Sequence, residues 1–562
     1  MKARAGAIAL ALVLAAGCTG EPSGGEGSTT TTTTTTTTTE PGASSPTSPA
    51  QAFDGYSVCW RAEPAPGTEE ISFSDETESS GLGEALIGMR GHAAAWGDVD
   101  GDGFVDLFVG TFATARPETY QQRGADGPAP DRLLLGRGGT FELEEGFPEQ
   151  YGRTSGAVLV DLDGDGDLDL VASRNVTDRD AGVATAVLEN TGDGFVERES
   201  GIDPSLGGRS VGVLDFDGDG LLDLVILEDH YRGGSSRLYR NEGGFRFEDV
   251  TGQVGFPEGV HGLGLATGDL NNDGYTDIFV AGSNRLFAGT GDGFVEMPNP
   301  FPEWETFGNE DDVSGAAIAD VNRDGWLDLV VGHHFNSTVD RGSRVPVRLY
   351  LNETGEPGGP IELRDVTEES GLIGLPTKAP HVEIADMDND GWPDIVTTAS
   401  ASDGSAPAVF RHLGLDDGVP QFATPEGLGS PQYWVAGPTS DVDRDGRLDL
   451  LAVEWEPALP SMMFMNQTAS GNWLQVAVDD GIGGVGARVE AYQEGRAGEA
   501  DAMLGARDIT ASLGYTAGVE LMAHFGLGEA TAVDIVVNPV GADPVTLSGV
   551  EANARVVVGG DC

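Results

Sequence analysis

Seven copies of an acidic loop, Asp-x-Asp/Asn-x-Asp-Gly-x-x-Asp, recur along the chain, beginning at Asp98, Asp161, Asp215, Asp269, Asp320, Asp386 and Asp441. The intervals are 63, 54, 54, 51, 66 and 55 residues. Recurrence at that period marks one supersecondary unit repeated as a solenoid or propeller. Positions 1, 3, 5 and 9 of the first three loops are Asp98, Asp100, Asp102 and Asp106; Asp161, Asp163, Asp165 and Asp169; and Asp215, Asp217, Asp219 and Asp223. In loops 4 and 5 they are Asp269, Asn271, Asp273 and Asp277, then Asp320, Asn322, Asp324 and Asp328. Loops 6 and 7 supply Asp386, Asp388, Asp390 and Asp394, then Asp441, Asp443, Asp445 and Asp449.

Oxygens at alternate positions converge on one point, Gly at position 6 permits the turn, and the position-7 carbonyl (Leu221 in the third loop) can complete the set. Hard oxygen ligands in a flexible loop suit Ca²⁺ better than Mg²⁺, which demands tighter octahedral geometry. An EF-hand would need Glu at position 12. Here the last acid stands at position 9, between apolar, β-prone flanks such as "SVGVLDFDGDGLLDLVILE". The loop therefore caps a β-hairpin, and up to seven structural Ca²⁺ ions are expected. A solvated acidic turn without metal is the competing reading of any single copy. The two Asn substitutions lower ligand charge.

Each period reads as four strands. Strand A runs into the loop, B leaves it, C carries a pattern like "RLYRNEGG", and D resembles "FEDVTGQVGF". Radially repeated four-stranded units make a β-propeller. The seventh unit has no D strand after Gln467, whereas a D-type segment, "ISFSDETESSGL", starts at Ile71 ahead of the first loop. That N-terminal strand is expected to complete the last blade and close the ring.

From about Ile71 to Ala469 the loops and strand texture resemble FG-GAP/VCBS repeats, the blade type of integrin α-chain propellers. From Asn472 to Val558, "NWLQVAV", "GGVGARVEAY", "LGYTAG", "HFGLGEATAVDIVV" and "VEANARVVV" resemble the ASPIC/UnbV domain. A propeller followed by that domain is the arrangement of the cartilage acidic protein family and its bacterial relatives. Asn538-Pro539-Val540-Gly541 departs from the Trp-Pro-Ser-Gly usual there. The resemblance implies an extracellular calcium-binding protein. The expected fold class is all-β: a seven-bladed, integrin-α-like propeller at 56–470 and a sandwich-like domain at 471–562.

The 92 acidic residues against 31 Lys and Arg give a net charge of -61, which argues against nucleic acid or anionic lipid as a partner. Ahead of the propeller, Lys2 and Arg4 precede an apolar run from Ala7 to Ala16, too short to span a bilayer. Leu14-Ala15-Ala16-Gly17-Cys18 resembles a lipoprotein signal-peptidase box, so residues 1–17 are expected to be a leader and Cys18 the lipidated residue. An ordinary secretory leader is the alternative. Residues 18–55, with eleven consecutive Thr from Thr29 to Thr39, read as a disordered tether. The expected location is extracytoplasmic, with membrane contact only through the anchor. Of the other cysteines, Cys59, just before the first propeller strand, and Cys562 would pair in an oxidising compartment, tying the C-terminal domain back to the propeller's entry point. Two free thiols stay open as the other reading.

If the calcium loops share one face, the starts of the A strands and ends of the B strands gather on the other. His92, Arg153, Arg209, His261, His381 and Trp434 enter A strands, and His333 and His334 follow a B strand. His230 and Tyr231 fall there too, and the connection from Thr111 to Asp131 adds Arg116, Tyr120 and Arg123. Such a rim suits an anionic or carbohydrate ligand, although solubilising or buried channel residues would read the same way. Three functional classes compete. The leading one is a surface binding or adhesion module for a carbohydrate or protein ligand. The others are an enzyme acting on an anionic polysaccharide or phosphate ester, and a structural or assembly scaffold. No motif specifies a catalytic residue.

Overall fold

A computed structural model describes residues 55–176, 183–229, 234–298, 311–335, 345–372, 374–375, 379–399, 409–423, 428 and 433–562. Cys18, the expected leader and tether, His230 and Tyr231 lie outside these residues.

Seven sheets follow one plan. Blade 1 is Gly91–Gly97, Asp106–Thr111, Arg132–Gly136 and Phe141–Leu143. Blade 2 is Thr154–Val160, Asp169–Arg174, Ala186–Asn190 and Phe195–Arg198, and blade 3 is Gly208–Leu214, Asp223–Glu228, Arg237–Asn241 and Phe247–Asp249. Blade 4 comprises Gly262–Gly268, Asp277–Gly282, Arg285–Gly289 and Phe294–Glu296; blade 5 comprises Asp311–Ala319, Asp328–Phe335, Arg348–Asn352 and Leu363–Asp365. Blade 6 has Val382–Ala385, Asp394–Thr397 and Val409–Phe410, continued by the hairpin His412–Asp416 and Val419–Phe422. In blade 7, Trp434–Ala436, Asp449–Glu454 and Met462–Asn466 are joined by the N-terminal strand Phe73–Asp75, with Phe73 opposite Asn466. The expected closure of the ring by that strand is present.

The acidic loop sets the register of every A–B pair. The residue before each loop faces the ninth-position Asp: Gly97 and Asp106, Val160 and Asp169, Leu214 and Asp223, Gly268 and Asp277. Ala319 and Asp328, Ala385 and Asp394, and Ser440 and Asp449 repeat it. Apolar side chains of neighbouring blades then merge into shared cores. Val158 and Val171 of blade 2 pack with Val213 and Ile226 of blade 3. Trp96 and Leu107 of blade 1 pack with Leu451 and Met463 of blade 7, so the ring is closed by burial as well as by hydrogen bonds.

Between blades, an Asn at the end of strand C does the stitching. Asn352 donates to its own loop carbonyl at Leu327 (2.9 Å) and to Leu270 of the preceding blade's loop (2.7 Å). Asn241 bonds Leu222 and Leu162, and Asn466 bonds Leu448 and Met387, in the same way. This explains the Asn of the strand-C pattern, which tandem repetition alone does not.

The C-terminal domain is a sandwich. One sheet orders Tyr56–Arg61, Ala554–Val558, Asn472–Val478 and Ala523–Gly528; the other orders Met503–Asp508, Arg488–Gln493, Ala532–Asn538 and Val545–Glu551. Leu474, Val476, Val489, Ile535 and Val556 share its core. Tyr56–Arg61, expected at the start of the propeller range, is instead the edge strand of this sheet, where it covers the otherwise open edge of Ala554–Val558. Cys59 and Cys562 are bonded, with Cα atoms 5.3 Å apart. The bridge therefore staples the sandwich's own edge strand to its final residue, and not one domain to the other.

A hairpin of the sandwich, Ser512–Leu513 and Ala517–Gly518, leaves its sheets and enters the propeller channel. Ala517 and Gly518 pair in parallel with Ala94 and Ala95 of blade 1. Gly514 exchanges hydrogen bonds with Ala316 of blade 5, and Thr516 N–H reaches Ser210 of blade 3 at 2.9 Å. Small residues of the inner strands make this possible. A Cβ on Gly264 would lie 2.3 Å from the Gly514 carbonyl oxygen, and one on Gly315 would lie 3.1 Å from the Gly514 carbonyl carbon.

Replacing Asn352 by Ala leaves two buried carbonyls without a donor, so chemical denaturation should show a loss of about 2–4 kcal/mol. An unchanged midpoint would refute the stitching role.

Candidate metal loops and the channel face

The local chemistry of each loop starts from its ninth-position Asp, the first residue of strand B. One oxygen accepts the position-2 N–H (Asp223 from Phe216, 3.2 Å), and the other accepts the N–H at the end of strand C (Asn241, 2.8 Å). Asp106, Asp169, Asp277, Asp328, Asp394 and Asp449 repeat the pair of bonds. The first-position carboxylate accepts the N–H of the position-6 Gly, as Asp215 does from Gly220 at 3.0 Å. Position 5 accepts the position-7 N–H, as Asp102 does from Phe104 at 2.9 Å.

Three carboxylates then converge. Oxygens of Asp98, Asp100 and Asp106 lie within 4.8 Å of one another, as do those of Asp161, Asp163 and Asp169, and of Asp215, Asp217 and Asp223. Asp386, Asp388 and Asp394, and Asp441, Asp443 and Asp449, form two more such triads. The fifth-position residues Asp102, Asp165, Asp219, Asp390 and Asp445, expected as ligands, stand outside the triads, their Oδ1 atoms engaged in closing the turn. Loops 4 and 5 differ because their third position is an amide, and Asn271 and Asn322 donate to Asp273 and Asp324 (2.9 and 2.8 Å).

The donor set fits a hard cation. Among the described residues, Oδ1 of Asp98, Asp163, Asp217 and Asp386 is buried without a hydrogen-bond partner. An anionic oxygen so placed is costly unless a cation meets it. Burial, reinforced by neighbouring aspartates, pushes the Asp106 and Asp169 carboxyls up to about 7 and Asp223 to about 8. Asp277, Asp328, Asp394 and Asp449 are pushed well above the carboxylate range for the same reasons. These loops could therefore hold divalent ions, which would supply the charge that protons otherwise bring.

The sandwich reads some loops and not others. Asp508 accepts the Asp269 N–H at 2.7 Å, and Arg488 donates to the Asp269 carbonyl at 2.8 Å. Arg507 donates to the Asp320 carbonyl at 3.2 Å. His524 Nε2 lies 2.7 Å from Asn389 Oδ1, and Gln475 donates to Asp441 Oδ2 at 2.9 Å. Arg488, His524 and Gln475 belong to "GARVEAY", "HFGLG" and "NWLQVAV", whose sequence pattern was visible but whose role was not, while Arg507 and Asp508 lie outside those patterns.

At the opposite ends of the strands, the eight residues expected to form a ligand rim divide evenly. His92, His333, His381 and Trp434 are buried; Arg153, Arg209, His261 and His334 are half-buried. The channel hairpin covers His92 and His381. Tyr515 at its tip stacks edge-on against His92 (5.6 Å) and donates its N–H to His381 Nδ1 (3.3 Å). Burial first, then the charges of Arg209 and Arg153, hold the His92 imidazole well below its ordinary pKa. Arg209 is paired with Asp229 through Nε at 2.6 Å, and Trp434 packs on Phe464. Tyr120 is buried and Arg123 bonds the Gly83 carbonyl, so those two serve the fold. What stays half-exposed is a group of Arg90, Arg153, His334, Tyr433 and Trp455, with Phe112 buried beneath Arg153. Arg90 lies 4.7 Å over Trp455, Arg153 lies 4.4 Å over Phe112, and His334 meets Tyr433 at 5.8 Å.

The raised carboxyls fix the sign of a pH dependence. Groups with native values near 6–8, above the unfolded value near 4, give stability that is lost as pH rises through the native value. In chelator, the melting temperature should therefore rise as pH falls from 8 to 6. With divalent metal present the trend should reverse, because protons compete for the same oxygens. Calorimetry at matched pH checks this, and parallel trends would exclude the loops as metal sites.

Residues 215–280 and 386–452 match the FG-GAP-like repeat, both beginning on a first-position Asp. Human cartilage acidic protein 1 is 29% identical over 428 residues, covering 69% of this chain and 60% of the relative. The mouse protein is likewise 29% identical, with 69% and 62% covered, so the chain spans about three fifths of the length of these relatives. Rat integrin alpha-7 is 32% identical over 143 residues, 22% of this chain and 12% of the integrin. Solved structures sharing 12% identity include the rhamnogalacturonan lyase YesW (TM-score 0.37; 74% and 76% covered) and the Dos1 propeller (TM-score 0.37; 74% and 98% covered). With its seven repeated sheets, the chain is a β-propeller protein that carries FG-GAP-like repeats at 215–280 and 386–452 and is similar to cartilage acidic protein 1 over 69% of its length.

Proposed function

We propose that this protein is a calcium-stabilised binding module displayed outside the cytoplasm, anchored through Cys18. Its channel-mouth face receives an extracellular carbohydrate or protein ligand. The observation that carries the reading is the half-exposed group of Arg90 over Trp455, with Arg153 beside it over the buried Phe112, set on a body with net charge -61. Aromatic faces held by guanidinium groups suit sugar rings and anionic substituents. Ca²⁺ is the ion we assign to the loops, because the convergent oxygens are carboxylates in flexible hairpins. At free Ca²⁺ tenfold above Kd, each loaded site adds roughly 1.4 kcal/mol. Loading of all seven would add on the order of 10 kcal/mol, comparable with a domain's whole stability. Among the described residues, no helix is long and apolar enough to cross a membrane.

Two measurements check this. Removing Ca²⁺ with EGTA should lower the melting temperature by tens of degrees, and an unchanged melt would remove the metal assignment. A glycan array probed in Ca²⁺ should show saturable retention that Trp455→Ala reduces at least tenfold while the melt stays put. Release of a cleaved product from a retained glycan would favour the enzyme reading instead.

A further inference from the structure

Loops 4 to 7 differ from loops 1 to 3 in two independent ways. Position 4 of every loop adopts positive φ, and loops 1, 2 and 3 place Gly101, Gly164 and Gly218 there. Loops 4 to 7 place Asn272, Arg323, Asn389 and Arg444, at φ of 54, 61, 53 and 60°. For Arg this conformation costs roughly 1–2 kcal/mol. The side chains it projects reach the next loop round the ring. Arg323 lies 3.7 Å over Trp392, Asn389 bonds the Gly446 carbonyl at 2.8 Å, and Arg444 lies 3.6 Å over Phe104.

Second, among the described residues, the hydrogen bonds between sandwich and loop residues fall on loops 4 to 7. Their targets are backbone groups of first-, third- and fourth-position residues, the side-chain oxygens of Asn272 and Asn389, and Asp441 Oδ2, which also accepts the Gly446 N–H that closes the turn. An ion in the loop would hold those groups in place. Loops 2 and 3 meet the sandwich through apolar packing of Ile482 and Val485 near Leu162 and Leu222, which does not depend on loop carboxylates. First-position burial separates loops 5 to 7 only: Asp320, Asp386 and Asp441 are buried, while Asp98, Asp161, Asp215 and Asp269 are half-exposed.

We propose that the sandwich is a calcium-dependent stopper. While loops 4 to 7 are loaded, it stays seated and keeps the Ser512–Gly518 hairpin in the channel. Loss of ions from those loops, and not from loops 1 to 3, withdraws it. Withdrawal would uncover His92, His381 and the inner glycine strands, so calcium would set whether the propeller channel is closed. The inference rests on the calcium reading above. Coupling of this kind is reciprocal: a seated sandwich must raise the calcium affinity of the loops it grips.

Hydrogen–deuterium exchange on the full-length, disulfide-intact chain tests it. In Ca²⁺, peptides covering 512–518 should be protected, and EGTA should speed their exchange at least tenfold. Asp386→Asn with Asp388→Asn should do the same with Ca²⁺ present, whereas Asp161→Asn with Asp163→Asn should leave 512–518 protected. If the loop 6 variant does not fold, graded Ca²⁺ on the wild type decides, because protection of 512–518 should track loops 4–7 and not loops 1–3. Arg507→Ala with Gln475→Ala supplies the reciprocal arm. Calorimetric titration should find one group of sites weakened about 5–150-fold and the other unchanged. Equal effects of the two loop variants, or protection of 512–518 that ignores Ca²⁺ while calorimetry shows Ca²⁺ bound, would overturn the proposal. Absence of any Ca²⁺ binding would instead overturn the metal assignment beneath it.

Discussion

A buried carboxylate at the start of each B strand is the group on which the structure depends. In Asp223 and its six counterparts, one oxygen holds the entrance of the acidic loop and the other holds the end of strand C. The same carboxylate completes the ligand triad in five of the loops. Burial makes its negative charge expensive, and the neighbouring aspartates worsen the cost. A proton or a metal ion must answer that cost, so the geometry of each blade and the occupancy of its loop are one problem. Tandem repetition multiplies the dependence.

The ring is then held by devices of different range. Strand-C asparagines tie neighbouring blades through buried carbonyls, and shared apolar cores fill the wedges between them. The N-terminal strand Phe73–Asp75 closes the circle at blade 7. The sandwich adds a hub, because its hairpin touches inner strands on opposite sides of the channel. Small inner residues are the condition for that contact. They would otherwise look like poor core formers, and their reason lies in the backbone they admit.

Much of this was legible in the chain before any coordinates. The acidic loops declare themselves because alternating ligands and a turn glycine are local features. Strand pattern and a missing final D strand were enough to place Phe73–Asp75 in the last blade. The ligand rim was only half legible. The positions of His92, His381 and Trp434 at the ends of strands were correct, yet their burial was not readable. Tyr515, which occupies the channel beside His92, is more than 400 residues away in the chain. "LGYTAG" stood out as a pattern without disclosing that it is the segment that fills the channel.

By itself, the sequence determined the blade count, the acidic turn of each A–B hairpin and the order of strands, since these follow from repeat spacing, turn geometry and side-chain alternation within a few residues. Only the tertiary structure decided that Tyr56–Arg61 belongs to the sandwich, that Cys59 and Cys562 staple that domain alone, and that the sandwich grips loops 4 to 7. Those outcomes depend on which distant surfaces bury one another. Burial is a property of the assembled chain, because an edge strand or a buried carbonyl has no local signature until its partner arrives.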